Sequence, residues 1–218
     1  MAQIFHRSTN TISKFSIIGG LIALVVIVLV AYLMDRATFV TREHQPMAQP
    51  VPFSHKHHNA GLGIDCRYCH TTVETSAFAG MPATETCMTC HSQIWRESPM
   101  LEPVRASYSA NTGIRWRRVY DLPNFVYFDH SIHVNKGVGC SECHGRVDRM
   151  PLTWKSSQLY MQWCLDCHRE PEQHLRPQSD IFNMNWQPGP DQQTLGAKLA
   201  TEHKIPRELL TSCSTCHR

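Results

Sequence analysis

Charge is scarce in this 218-residue chain: Asp, Glu, Lys and Arg make up 18% of it, and the formal net charge is +3. Surfaces that grip nucleic acid concentrate Lys and Arg far more heavily, so nucleic acid is excluded as a partner. Long amphipathic periods are few, while 13 Pro and 11 Gly punctuate the chain. Such a polypeptide cannot build a large core from side chains alone. No cysteine stands outside a Cys-x-x-Cys-His segment, although there are 10 of them.

One apolar run breaks this pattern. Phe15 to Met34 carries no charged side chain. At about 1.5 Å per residue it makes roughly 30 Å of helix, the thickness of a bilayer core. It ends Ala31-Tyr32-Leu33-Met34-Asp35, without the Ala-x-Ala step of a cleaved signal peptide. The run therefore reads as an uncleaved transmembrane anchor over 15–34, after a cytoplasmic amino terminus over 1–14. Arg7 and Lys14 before it, and Arg36 and Arg42 after it, orient it only weakly.

The five cysteine segments begin at Cys66, Cys87, Cys140, Cys164 and Cys213, and are called sites I to V below. Their cysteine pairs are Cys66 and Cys69, Cys87 and Cys90, Cys140 and Cys143, Cys164 and Cys167, and Cys213 and Cys216. Two thiols this far apart reach the two vinyl-derived arms of one porphyrin. The next residue, His70, His91, His144, His168 or His217, then falls under the ring as its proximal iron ligand. Zinc gives no reason for a histidine after every second cysteine, and five pairs leave a remainder when divided into four-cysteine sites. Thiol redox enzymes carry one such pair rather than five. The reading is five covalently bound haem c groups that serve as the core. It predicts a multihaem cytochrome c fold: one N-terminal transmembrane helix, then a mostly irregular, short-helix domain over 35–218. Haem attachment of this type belongs to exported domains, so the carboxyl-terminal part lies outside the cytoplasm.

Two further segments match each other. Phe53-Ser54-His55-Lys56-His57-His58 precedes site I, and Phe128-Asp129-His130-Ser131-Ile132-His133 precedes site III. Both read Phe-x-His-x-x-His, with 7 or 6 residues before the first cysteine. Each is followed by two attachment sites, which marks an internal duplication over about 53–98 and 128–176. Histidines spaced i,i+3 on a short helix can reach two irons from one face. His55, His58, His130 and His133 are therefore the expected distal ligands, with His57 as a spare. Which iron each reaches is open at this level. For site V the candidates are Met184, Met161, Met150, His203, His174 or an open position, and Met184 is favoured for its aromatic surroundings. A thioether ligand would raise that haem's potential. Arg105, Arg115, Arg117 and Arg118, between the repeats, could hold haem propionates.

Filled axial positions and dense spacing favour a non-catalytic electron relay over catalysis. Arg118 to Val134 leading into Gly137-Val138-Gly139-Cys140, then Trp163 to Arg169, and the ending Leu210 to His217 carry a resemblance to a known family. The chain resembles the membrane-anchored pentahaem cytochrome c subunit of bacterial alternative complex III. That resemblance implies a subunit of a quinol oxidoreductase in the bacterial inner membrane, with the haem domain periplasmic. It implies an iron–sulfur partner similar to molybdopterin oxidoreductases, and polytopic membrane subunits that bind quinol. Electrons would leave to a monohaem cytochrome c or a terminal oxidase. In that family the equivalent of His174 is often aromatic, which argues against His174 as a ligand. The alternatives are a membrane-anchored multihaem quinol dehydrogenase feeding a periplasmic reductase, and a catalytic multihaem reductase with an open haem.

Overall fold

The computed structural model describes residues 4–217; the predicted segments 1–14 and 35–218 also take in residues 1–3 and 218, which lie outside that range. The chain divides into two compact units, Met1–Arg42 and Glu43–Arg218.

The first unit holds helix α1, Thr9–Asp35, and the single turn α2, Thr38–Thr41. α1 is 27 residues, so it runs about 40 Å. By length and composition it can cross a membrane. It begins before the apolar run, because Thr9 to Lys14 contain neither Gly nor Pro to interrupt it.

The second unit is built from short helices and irregular backbone. Its attachment pairs lie on α3 (Cys66–Cys69), α4 (Thr84–His91), α7 (Cys140–His144), α8 (Met161–Arg169) and α11 (Cys213–Cys216). Between them lie α5 (Glu102–Ala110), α6 (His130–Asn135), α9 (Gln192–Glu202) and α10 (Arg207–Leu210). Among the described residues the only β pairing is two isolated bridges, Glu43 with Lys155 and Val138 with Leu175.

Local chemistry sets several of these helix ends. The Asp65 carboxylate accepts from the Arg67 amide at 2.8 Å and opens α3. Asp129 does the same for α6 through the Ile132 amide at 3.3 Å. Gly145, at φ +58°, turns the chain away after α7. The first distal motif lies on a wide helical turn, Lys56–Gly61, and the second on the ordinary helix α6. The wide turn takes up the one extra residue that separates His58 from site I.

Buried apolar side chains form three small clusters rather than one core. They are Val51, Leu101 and Val104; Val73, Val134 and Ile181; and Leu175, Leu199 and Ala200. The second cluster joins the two repeats. α9 packs on the turn Pro171–Gln173, where the Gln192 side-chain amide donates to the Glu172 carbonyl at 2.8 Å and the Leu175 carbonyl at 2.7 Å. A Cβ on Gly196 would lie 2.0 Å from the Glu172 carbonyl oxygen. Backbone cannot swing aside, so Gly196→Ala is expected to cost about 3 kcal/mol. Urea unfolding of the haem-loaded protein checks this as a lower midpoint at constant slope; an unmoved midpoint would mean α9 docks without this close approach.

Candidate haem-binding sites

The two histidine motifs share one local geometry. Phe53 lies parallel to His58, with ring centroids 4.4 Å apart, and edge-on to His55 at 4.9 Å. Phe128 treats His133 and His130 the same way, at 4.5 and 4.8 Å. The phenylalanine is the wedge that fixes both imidazoles of its motif.

Three of the four motif histidines face a proximal histidine. Ring centroids are 6.1 Å apart for His58 and His91, 6.4 Å for His130 and His144, and 6.2 Å for His133 and His168. Two imidazoles bound to one metal through nitrogens at about 2.0–2.1 Å each put their centroids roughly 6 Å apart. His55 lies near enough to His70 for their charges to interact. Within each repeat, the first motif histidine thus lies by the histidine of the first site and the second faces that of the second.

In eight of the nine motif and proximal histidines, all but His144, Nδ1 makes a hydrogen bond. Nδ1 donates to the Ser54 carbonyl from His58 (2.9 Å), to Gly80 from His70 (2.7 Å), and to Ile94 from His91 (3.0 Å). It donates to Ala77 from His130 (2.9 Å), to Asp129 from His133 (2.7 Å), to Leu210 from His168 (2.8 Å), and to Phe125 from His217 (3.1 Å). His55 Nδ1 bonds with the Thr153 hydroxyl at 3.1 Å. A proton held on Nδ1 leaves the Nε2 lone pair for a metal and locks the ring's angle.

Electrostatics agree with that role. Burial, helped by the charges of His70 and His58, lowers the His55 pKa to about 4. Burial, then His130, His70 and His55, lowers that of His144 to about 4. Burial also lowers His133. Burial thus favours the neutral form of these rings, the form a ligand must take. Burial pushes the Cys140 and Cys143 thiols up to about 12. All ten cysteines are free of disulfides, with each pair one helical turn apart. Among the described residues no three His, Cys, Asp or Glu side chains converge, which a tetrahedral zinc site would require. Paired thiols beside paired imidazoles fit haem c, whose ring takes two thioethers and whose iron takes two axial ligands.

The candidates for the fifth distal position are scattered. Met184, the one favoured from sequence, is buried in a cavity of about 430 Å³ beside Asn59, Arg146, Asp148 and Asn185, and no residue of site V lines it. Met150 is buried, its carbonyl accepting from the Lys56 amide at 3.1 Å. His174 Nδ1 bonds to Glu142 at 3.0 Å, beside site III. His203 abuts Gly137. Met161 is exposed on the first turn of α8, the helix whose Cys164 lies near Cys216 of site V. His57 is also exposed, its ring 5.8 Å from that of Trp95. Arg105 spends Nη1 on the Arg96 and Ser98 carbonyls, at 2.7 and 2.9 Å, which gives it a loop-fastening role.

A charged knot by site III had no signal in the sequence. Arg176, 1% exposed, lies with its guanidinium 4.3 Å from the Trp186 ring centre. Its Nη2 donates to Glu142 and, at 3.1 Å, to the Ser141 hydroxyl. Burial acts to raise the Glu142 pKa, but the bond from His174 and the Arg176 charge outweigh it and hold the carboxyl below its ordinary value.

Comparison with known proteins agrees with this chemistry. A family model described as Cytochrome c3 matches residues 132–218, spanning sites III to V. A model of the Class III cytochrome C family matches residues 34–113, spanning sites I and II. The chain is 30% identical over 178 residues to a protein of Nitratidesulfovibrio vulgaris named "Menaquinone reductase, multiheme cytochrome c subunit"; the match covers 72% of this chain and 84% of that one. Paired thiols, paired imidazoles and these likenesses together make the chain a member of the multihaem cytochrome c family, an electron-transport protein with covalently bound haem c.

Proposed function

We propose that this chain is the pentahaem relay of a quinol oxidoreductase of the alternative complex III type. Its haem domain is periplasmic and α1 anchors it in the bacterial inner membrane. The observation that carries the reading is three facing histidine pairs, with His55 close to His70 as the candidate fourth. His55 with His70, His58 with His91, His130 with His144, and His133 with His168 supply both axial ligands at sites I to IV. No coordination position is then left there for a substrate, so the chain carries electrons rather than transforming a molecule.

When bound, haem c supplies a one-electron ferric/ferrous couple. The protein's part is to hold the ligands still. Each carbonyl-tethered Nδ1 keeps its ring angle fixed in both oxidation states, which keeps reorganisation small. At site V we assign the distal ligand to Met161, exposed on α8 and one turn before Cys164, in preference to Met184. Its thioether would make site V the high-potential end. The partners are an iron–sulfur subunit of the molybdopterin-oxidoreductase kind, polytopic quinol-binding subunits, and a monohaem cytochrome c or terminal oxidase as acceptor.

The similarity to a protein named as a menaquinone reductase subunit favours a second reading, with electrons running toward the membrane quinone. Purification of the native protein separates the two. Quinol-driven reduction of cytochrome c by the purified complex supports the first, and menaquinone reduction without it supports the second. Magnetic and optical spectra of the same sample should contain four bis-histidine haems and one thioether-ligated haem. Met161→Leu should abolish the thioether band; a band that survives would return site V to the other candidates.

A further inference from the structure

The order of the attachment sites in space differs from their order in the chain. Sites I and II adjoin: the Tyr68 hydroxyl of site I bonds with the Thr89 hydroxyl of site II at 3.0 Å. Their distal residues, His55 and His58, share one turn. Sites III and IV adjoin likewise, since His130 and His133 share α6. The two pairs meet through sites I and III. The His130 amide and its Nδ1 both donate to the Ala77 carbonyl, in the loop after His70, at 3.2 and 2.9 Å. In return Thr153, after site III, holds His55 of site I at 3.1 Å. Site V joins through site IV: His168 donates to the Leu210 carbonyl, three residues before Cys213, at 2.8 Å.

We propose that the five sites form one unbranched file in the order II, I, III, IV, V, with sites II and V as its two mouths and site III as its centre. This rests on the reading that each site holds a haem. Exposure follows the same order. Cys90 of site II and Cys213 of site V are the two exposed cysteines, whereas the rest are partly covered. The most strongly desolvated thiols belong to site III, and His144 there is affected by rings of both site I and its own pair. Two open ends suit one-electron traffic that enters at one mouth and leaves at the other. The file also makes site III the passage between the repeats, so electrons from site II reach site V only by crossing from the first repeat into the second.

Two measurements test the order. In a cryo-microscopy structure of the native complex, the iron at site III should have those at I and IV as its nearest neighbours within this subunit. Irons II and V should each have one, I and IV respectively. A nearest neighbour of iron II other than iron I would overturn the file, even with every histidine pair intact.

The second measurement follows a single electron. A ruthenium complex attached at Tyr108→Cys lies by site II, because Tyr108 lines a groove with Met88 and Ser92. Photoexcited, it gives one electron to a ferric haem and is itself re-reduced by a sacrificial amine. A thioether trap is placed by His55→Met, His130→Met or His133→Met, each in a Met161→Leu background. The trap's ferric thioether band should bleach soonest with His55→Met, later with His130→Met, and last with His133→Met. Arrival at the His133→Met trap before the His130→Met trap overturns the order. Failure of a variant to develop a thioether band counts against the ligand pairing instead; the iron positions then still decide the order.

Discussion

His133→Ala should convert one haem in five from low spin to high spin, and that haem should be the one at site IV. His133 is seven residues from Cys140 of site III in the chain, so proximity in sequence points to site III. The rings say otherwise: His133 faces His168 at 6.2 Å, while His144 of site III faces His130 at 6.4 Å. Truncation to Ala removes the Nε2 ligand and leaves His168 as the sole axial imidazole. A ferric haem with one strong axial ligand is high-spin, and the open position takes water or exogenous ligands. Low-temperature magnetic resonance should register the new high-spin signal, and imidazole in the buffer should restore low spin. Combining His133→Ala with loss of site IV, by Cys164→Ala and Cys167→Ala, identifies the haem. The high-spin signal should disappear with site IV. Its survival would move His133 to another iron.

Glu142→Gln should be the most destabilising single change near a haem, at about 3–5 kcal/mol. Arg176 is a buried cation, 1% exposed. Glutamine keeps Glu142's shape but removes the counter-charge, so a buried cation is left uncompensated. Arg176 has no escape route either. Its guanidinium occupies the place of a Cβ on Gly139, which would lie 2.2 Å from Cζ, and its other face lies over Trp186. Removing both charges should differ from removing one. A Glu142→Gln, Arg176→Met double variant exchanges an ion pair for packing and should recover most of the loss. Denaturant unfolding of the haem-loaded protein, followed through the Soret band, gives both numbers. A single variant within about 1 kcal/mol of the parent would mean that water or another group neutralises Arg176.

What could be read in the sequence was whatever chemistry acts within a few residues. Thioether attachment needs two cysteines and a histidine in five positions, so all five candidate segments stand out in the sequence. The Phe-x-His-x-x-His motifs were legible because wedge and imidazoles lie on one turn. Pairing was not, since His133 and His168 meet across 35 residues and only the fold brings them together. The backbone carbonyls that orient the rings carry no sequence signal at all. Ala77, Gly80 and Leu210 contribute an oxygen every residue has, and only their placement matters. Met184 drew attention through its aromatic neighbours, but a buried methionine in an irregular chain is more often filler than ligand. The knot at Glu142 was hidden for the same reason as the pairs: Arg176 reaches it from 34 residues away.

The exchange between the repeats bears on how the protein is made. His55, in the first half, is held by Thr153 of the second; His130, in the second half, is held by Ala77 of the first. Neither half finishes its own leading histidine. As the chain is made from its amino terminus, the early half waits for nearly one hundred further residues before His55 gains its tether. A gene cut between the halves would not yield two working pieces, because each piece would lack the anchor its twin supplies.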